Sequence, residues 1–258
     1  MKDVFLFGTC RICYLDHKNI NLIKVLREHH SRYYTIGDDI HIYTQPVNYT
    51  TKLSDALDSI LYMKGKLYAD LNAYTNRELQ GIFFRGHKTN GNVINPATHP
   101  YINNRDIIFT KVVIEVFSIK QYIINTKKYG ESFYLKNLPW KLTTGHEQPN
   151  DILFDKDDFI CKTMSKGECF EVLDRINKEV GCEILIIGPY VSALVPEHVN
   201  IERVKTQEIL KEYCSLHGNT YFDLSEAIQK DTIEIDQTHF NSHGNKLLTD
   251  VIYSFIMQ

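Results

Sequence analysis

The last third of the chain switches between helical and strand periodicity in a regular rhythm, and few folds accept that rhythm. Apolar spacing predicts a helix over 167–180, a strand over 183–187, a helix over 201–216, a strand over 220–223 and a closing helix over 242–256. Short strands separated by whole helices must run parallel, so this part of the chain requires an α/β sheet. The amino terminus belongs to the same sheet. Asp3-Val4-Phe5-Leu6-Phe7 is a brief apolar run stopped by Gly8, which reads as a buried strand rather than a helix. A further strand is expected at 41–43. Another covers 112–117, where the near-continuous apolar run implies helices over both faces. A helix over 54–62 carries Ala56, Leu57, Ile60 and Leu61 on one stripe. The expected class is α/β, a three-layer α/β/α arrangement around a central parallel sheet.

Two stretches do not follow the rhythm. Residues 64–110 include a loop rich in Asn, Gly and Pro, and 121–165 mix Tyr-rich and Lys-rich segments with the only tryptophan, Trp140. The first is expected as a lid or insertion and the second as an insertion, in one domain spanning 1–258. No repeat, low-complexity tract or Pro/Ser linker argues for a second domain. With 43% hydrophobic and 24% charged residues, disordered, collagenous and coiled-coil classes are excluded.

The net charge of -3 gives no positive field to hold a polyanion, so no nucleic-acid partner is expected. The longest apolar runs fall far short of the roughly 20 residues that span a bilayer, and the first residues are too briefly apolar for a signal peptide. No membrane partner and a cytoplasmic location are the expectation. Six cysteines lack the density of a secreted disulfide scaffold, and most should be reduced and buried.

In open parallel sheets ligands bind beyond the carboxyl ends of the strands. Strand one delivers Gly8-Thr9-Cys10-Arg11, and Asp236-Gln237-Thr238-His239-Phe240-Asn241 precedes the last helix. A thiol after the first strand and an Asp-x-x-His before the last helix can serve as nucleophile, orienting carboxylate and general base. Each has a plainer reading. A cysteine after a strand is often a small buried hydrophobe. Cys10-Arg11-Ile12-Cys13 could be a redox dithiol or half a zinc site, and Asp236, His239 and His243 could hold a metal. Arg11 is either a solvated residue or an anion contact. Lys120 and the basic run Arg85-Gly86-His87-Lys88 read as surface.

These residues resemble the SGNH or GDSL-type hydrolases and acyltransferases. The resemblance rests on Ile184-Leu185-Ile186-Ile187-Gly188-Pro189, on Thr220-Tyr221-Phe222-Asp223-Leu224, and on Asp236-x-x-His239-x-Asn241-x-x-Gly244 opening the final helix. The family's first block is Gly-Asp-Ser, onto which Gly8-Thr9-Cys10 falls with Thr for Asp and Cys for Ser. The resemblance implies a flavodoxin-like sheet with Cys10 as nucleophile, His239 as base and Asp236 as its partner; a thiolate, an imidazole and amide donors suffice for acyl transfer, so no metal is expected. The middle of the chain departs from the family. Gln45-Pro46-Val47-Asn48-Tyr49-Thr50 has no glycine where the second block supplies an oxyanion donor. Glu115-Val116-Phe117-Ser118-Ile119-Lys120 stands where Gly-x-Asn-Asp should follow the third strand. The amide N–H groups of Cys10 and Arg11 remain as oxyanion donors, with Asn48 or Ser118 adding a side chain.

A thiol nucleophile forms a thioester, which yields to amines more readily than an ester and exchanges acyl groups with other thioesters at little net free energy. The expected function is therefore acyl transfer from acetyl-CoA as co-substrate to a sugar or nucleotide-sugar, with an amino sugar favoured. Aromatic and amide side chains in the insertions suit such an acceptor. Composition and domain type also resemble sugar-modifying proteins of giant DNA viruses. The same residues could instead serve an esterase or carbohydrate deacetylase, or the fold could be an inactive carbohydrate-binding module.

Overall fold

A computed structural model describes residues 2–8, 33–36, 39–44, 51–64, 66, 108–124, 159–193, 195–226 and 240–258. Its chain divides into two compact units, Met1–Gln45 with Ile108–Ile119 and Val180–Gln258, and Pro46–Ile107 with Lys120–Glu179.

The first unit holds the sheet. Its strands are β1 (Lys2–Phe7), β2 (Tyr33–Ile36), β3 (Ile40–Thr44) and β4 (Lys111–Glu115), followed later in the chain by β7 (Glu183–Ile187) and β8 (Thr220–Phe222). They lie in the order β2-β3-β1-β4-β7-β8. β3, β1, β4, β7 and β8 are mutually parallel, as the alternation required. β2 is an antiparallel addition on the outer edge, pairing Tyr34 with Ile42. It was not legible in the sequence, because a four-residue strand in a hairpin leaves no periodicity of its own.

Both faces are dry along the apolar runs of the central strands β1, β4 and β7. Val4, Leu6, Val113, Leu185 and Ile187 point to one side and pack with Leu248, Ile252, Phe255 and Ile256 of the last helix, α4 (Ser242–Met257). Phe5, Phe7, Val112, Ile114, Ile184 and Ile186 alternate to the other side and are equally buried. Two buried faces need cover on each side, and the class is the expected three-layer α/β/α fold. α3 (Glu197–His217) connects β7 to β8 and starts four residues earlier than its apolar spacing suggested. Gly218 closes it at φ 71, a left-handed conformation that a side chain disfavours.

In the second unit lie α1 (Leu53–Met63), a two-stranded antiparallel sheet of β5 (Lys120–Ile124) and β6 (Phe159–Thr163), and most of α2 (Lys166–Val180). A capping box opens α2. Glu168 accepts from the Ser165 amide at 2.8 Å, and the Ser165 hydroxyl accepts from the Glu168 amide at 3.3 Å. With Lys162 beside it and the Ser165 donors in front, the Glu168 carboxyl is lowered to about 2.

Candidate active site

The sheet order carries a topological switch point. The chain leaves β1 toward β3 on one side, whereas β4, β7 and β8 follow one another on the other. The crevice beyond the carboxyl ends of β1 and β4 is where such folds bind ligands. Five chain segments reach this edge among the described residues. They are Gly8 after β1, Val116-Phe117-Ser118 after β4, Gly188-Pro189-Tyr190 after β7, Asp223-Leu224-Ser225 after β8, and Phe240-Asn241 ahead of α4.

An aromatic platform joins three of them. The Tyr190 ring, fully buried, meets Phe117 edge-on at 5.4 Å and Phe240 at 5.6 Å. Arg203, from the second turn of α3, stacks over Tyr190 at 4.8 Å and Phe117 at 5.4 Å, and donates to the Tyr190 carbonyl at 3.0 Å. The loop between β7 and α3 is pinned by Asn200, whose amide donates to the Ser192 and Val195 carbonyls at 2.9 and 3.2 Å. Asp223 fixes the next loop, accepting from Gln207 at 2.7 Å and the Ser225 amide at 2.9 Å, with Lys211 at 2.5 Å.

The entry into α4 is fixed just as closely. The Asn241 side chain caps the helix by accepting from the Gly244 amide at 2.9 Å, and Asn245 donates to the Phe240 carbonyl at 3.2 Å. The residue following His239 is thus held by its ring and by its carbonyl.

Of the site residues read from the sequence, Ser118 is described. It lies half-buried beyond β4, at the crevice. Cys10, Arg11, Asn48, Asp236 and His239 fall outside the described residues, as does Cys13. His243 is exposed in the first turn of α4. Among the described cysteines, Cys169 and Cys214 are buried and Cys161 is exposed, all free thiols. Cys214 is 3% exposed in the core, and burial pushes its thiol up to about 12, which disfavours the thiolate. Burial, and then the nearby Asp223, also push the Tyr221 phenol upward.

One functional candidate was missed. Glu115 ends β4 at the switch point and is 0% exposed. Its signal was present in the sequence as the single charge inside the apolar run Val112-Val113-Ile114-Glu115-Val116-Phe117.

No family model matches this chain, and neither does any curated protein. Solved structures similar to it include a lipase/acylhydrolase from Enterococcus faecalis, 14% identical, covering 98% of this chain and 94% of that one with a TM-score of 0.45. A catalytic mutant of an acetylxylan esterase from Geobacillus stearothermophilus is 9% identical, with coverage of 99% and 94% and a TM-score of 0.40. An aryl esterase from M. smegmatis is 11% identical, with coverage of 99% and 100% and a TM-score of 0.35. No helix among the described residues is long and apolar enough to cross a membrane.

Proposed function

We propose that the protein is an ester hydrolase that cleaves acyl groups, acetyl foremost, from a carbohydrate through a Cys10 thioester. The observation that carries this reading is the strand order β3-β1-β4-β7-β8. With the Tyr190–Phe240 contact, it puts the end of β1, three residues before Cys10, and the capped start of α4, which follows Asp236-x-x-His239, at the same edge of one sheet. In the reaction His239 takes the thiol proton and the thiolate adds to the ester carbonyl. The resulting oxyanion is met by the Cys10 and Arg11 amides, with Ser118 or Asn48 as side-chain donor. Collapse expels the sugar alkoxide, which receives the proton from the imidazolium. Water, deprotonated by the same imidazole, then cleaves the thioester to acetate and restores the thiol. Asp236 orients the imidazole.

Water is proposed as acceptor in place of the acetyl-CoA-dependent transfer expected from the thiol, because hydrolysis needs only one bound organic substrate. An amine-bearing sugar as acceptor uses the same residues, and the two reactions separate in one experiment. The protein is incubated with an acetylated oligosaccharide, and separately with acetyl-CoA and an amino sugar, while acetate and free CoA are measured. Acetate release from the first, with a transient mass increase on Cys10, is the expected result. CoA release that requires the amino sugar, without acetate release from the ester, replaces hydrolysis with transfer. Neither product, and no adduct, rules out both.

A further inference from the structure

Among the described residues the six-stranded sheet ends on an open edge at β8. In the parallel ladder between β7 and β8 the Gly188 amide donates to the Phe222 carbonyl at 3.2 Å, and Ile187 is in register with Phe222. Successive residues of a strand turn their amide and carbonyl to alternate sides, so Thr220 and Phe222 serve β7 and Tyr221 faces outward. The N–H and C=O of Tyr221 stand at the open edge, where they meet no partner among the described residues. Edges of this kind are usually kept apart by a charged side chain or a proline, and Thr220-Tyr221-Phe222 carries neither. Their one guard is a length of three residues.

An apolar cavity of about 370 Å³ runs along the same edge between β8 and α4, lined by Leu185, Phe222, Leu247, Val251 and Phe255, with Asp250 and the exposed Thr220 beside them. The charges near the edge are matched within the chain. Asp250 pairs with Lys246 at 2.7 Å and Asp223 with Lys211 at 2.5 Å, so two such edges approach without like charges left to repel.

We propose that this edge is an interface between two copies of the chain, joined β8 to β8 in antiparallel order about a two-fold axis at Tyr221. A two-fold contact must be self-complementary, and this strand is. Tyr221 exchanges both hydrogen bonds with its counterpart, and Thr220 stands opposite Phe222 of the other copy on the face that carries α4. The threonine methyl then covers the half-buried Phe222 ring, and the two apolar cavities meet across the axis. Other registers fail. A shift by one residue sets Tyr221 opposite a residue whose amide and carbonyl already serve β7, and a shift by two sets it opposite a residue outside the strand. A second copy is the occupant because the edge matches itself in hydrogen bonds, side chains and charge. The interface uses no residue of the reaction proposed above and stands apart from it.

Sedimentation velocity over a roughly hundredfold range of protein concentration reads the state directly. The wild type is expected to pass from monomer to dimer as concentration rises. Thr220→Lys adds the charge that guarded edges carry and should stay monomeric throughout. Ile201→Lys, on the exposed side of α3, should follow the wild type. The register is read by mixing a Thr220→Cys variant with a Phe222→Cys variant under mild oxidation. Opposite residues of an antiparallel pair lie about 4.5–5.5 Å apart at Cα, within reach of a disulfide, so a bond between the two introduced thiols is expected in peptide mass spectra. Thr220→Cys oxidised alone should give little of its own dimer, because those two positions are not opposite. A wild type that is monomeric at every concentration overturns the proposal and leaves the edge to a partner of another kind. A dimer that Thr220→Lys does not weaken puts the contact elsewhere and overturns it too. If Thr220→Lys does not fold, the mixed disulfide decides, and its absence overturns the proposal.

Discussion

Arg203 and Tyr190 are joined twice, once by the guanidinium stacked 4.8 Å above the ring and once by its hydrogen bond of 3.0 Å to the Tyr190 carbonyl. The pair ties α3 to the loop after β7, and through Phe117 and Phe240 to the loops on either side of the crevice. Arg203→Met keeps much of the stem's packing but removes both contacts, and is expected to lower stability by about 1–3 kcal/mol in chemical denaturation. Arg203→Lys should recover less than half of the loss, because an ammonium lacks the planar face that stacks and the fork that reaches a carbonyl. Full recovery by lysine would show that only charge matters there.

Gly188 and Tyr221 are expected to be coupled. The Tyr221 ring and hydroxyl occupy the space that a Cβ on residue 188 would need, so Gly188→Ala forces the ring or the β7–β8 pairing to move. Overpacking of this kind costs about 1–3 kcal/mol. In a Tyr221→Val background the same Gly188→Ala change should cost clearly less, since the colliding atoms are gone. Equal costs in the two backgrounds would refute the steric explanation.

Cys10→Ala and His239→Ala are each expected to abolish ester hydrolysis, while Asp236→Asn retains a small residue of activity because it removes orientation rather than the proton acceptor. Cys13→Ser should be nearly silent, and activity should survive EDTA. A Cys13→Ser variant as inactive as Cys10→Ala would require a dithiol. Loss on chelation, restored by zinc, would move Asp236, His239 and His243 into a metal site.

The parallel core was legible in the sequence because each of its strands is an apolar run bounded by turn residues and followed by an amphipathic helix. Val4 to Phe7 and Ile184 to Ile187 could be nothing else once the helix over 167–180 separated two such runs. β2, β5 and β6 were not legible. A strand paired in a hairpin is stabilised by its partner across the sheet, and Tyr33-Tyr34-Thr35-Ile36 or Phe159-Ile160-Cys161-Lys162-Thr163 carries no repeat that a single segment could reveal. At the site, the sequence reading singled out groups with reactive chemistry and missed the groups that hold the loops. Tyr190 and Arg203 meet through α3 packing, which no local pattern encodes. Glu115 was visible only as an apolar run's one exception, whose meaning depends on the strand being central.

The last expectation concerns pH. Cys214 is raised from the usual thiol value near 9 to about 12 by burial in the folded chain. Unfolding returns it to the ordinary value, so its contribution to stability is fully present below pH 9 and is lost as pH rises toward 12. Tyr221, also raised by burial, adds a loss of the same sign beginning nearer pH 10. Denaturation midpoints measured from pH 7 to 11 should therefore decline above pH 9, and Cys214→Ala should flatten the first part of that decline while lowering stability at neutral pH through the small cavity it leaves. Cys214 should also resist iodoacetamide in the native protein at pH 8, where exposed Cys161 reacts. Native-state labelling of Cys214 at the rate of Cys161 would show that the thiol is open to solvent and that burial does not set its protonation.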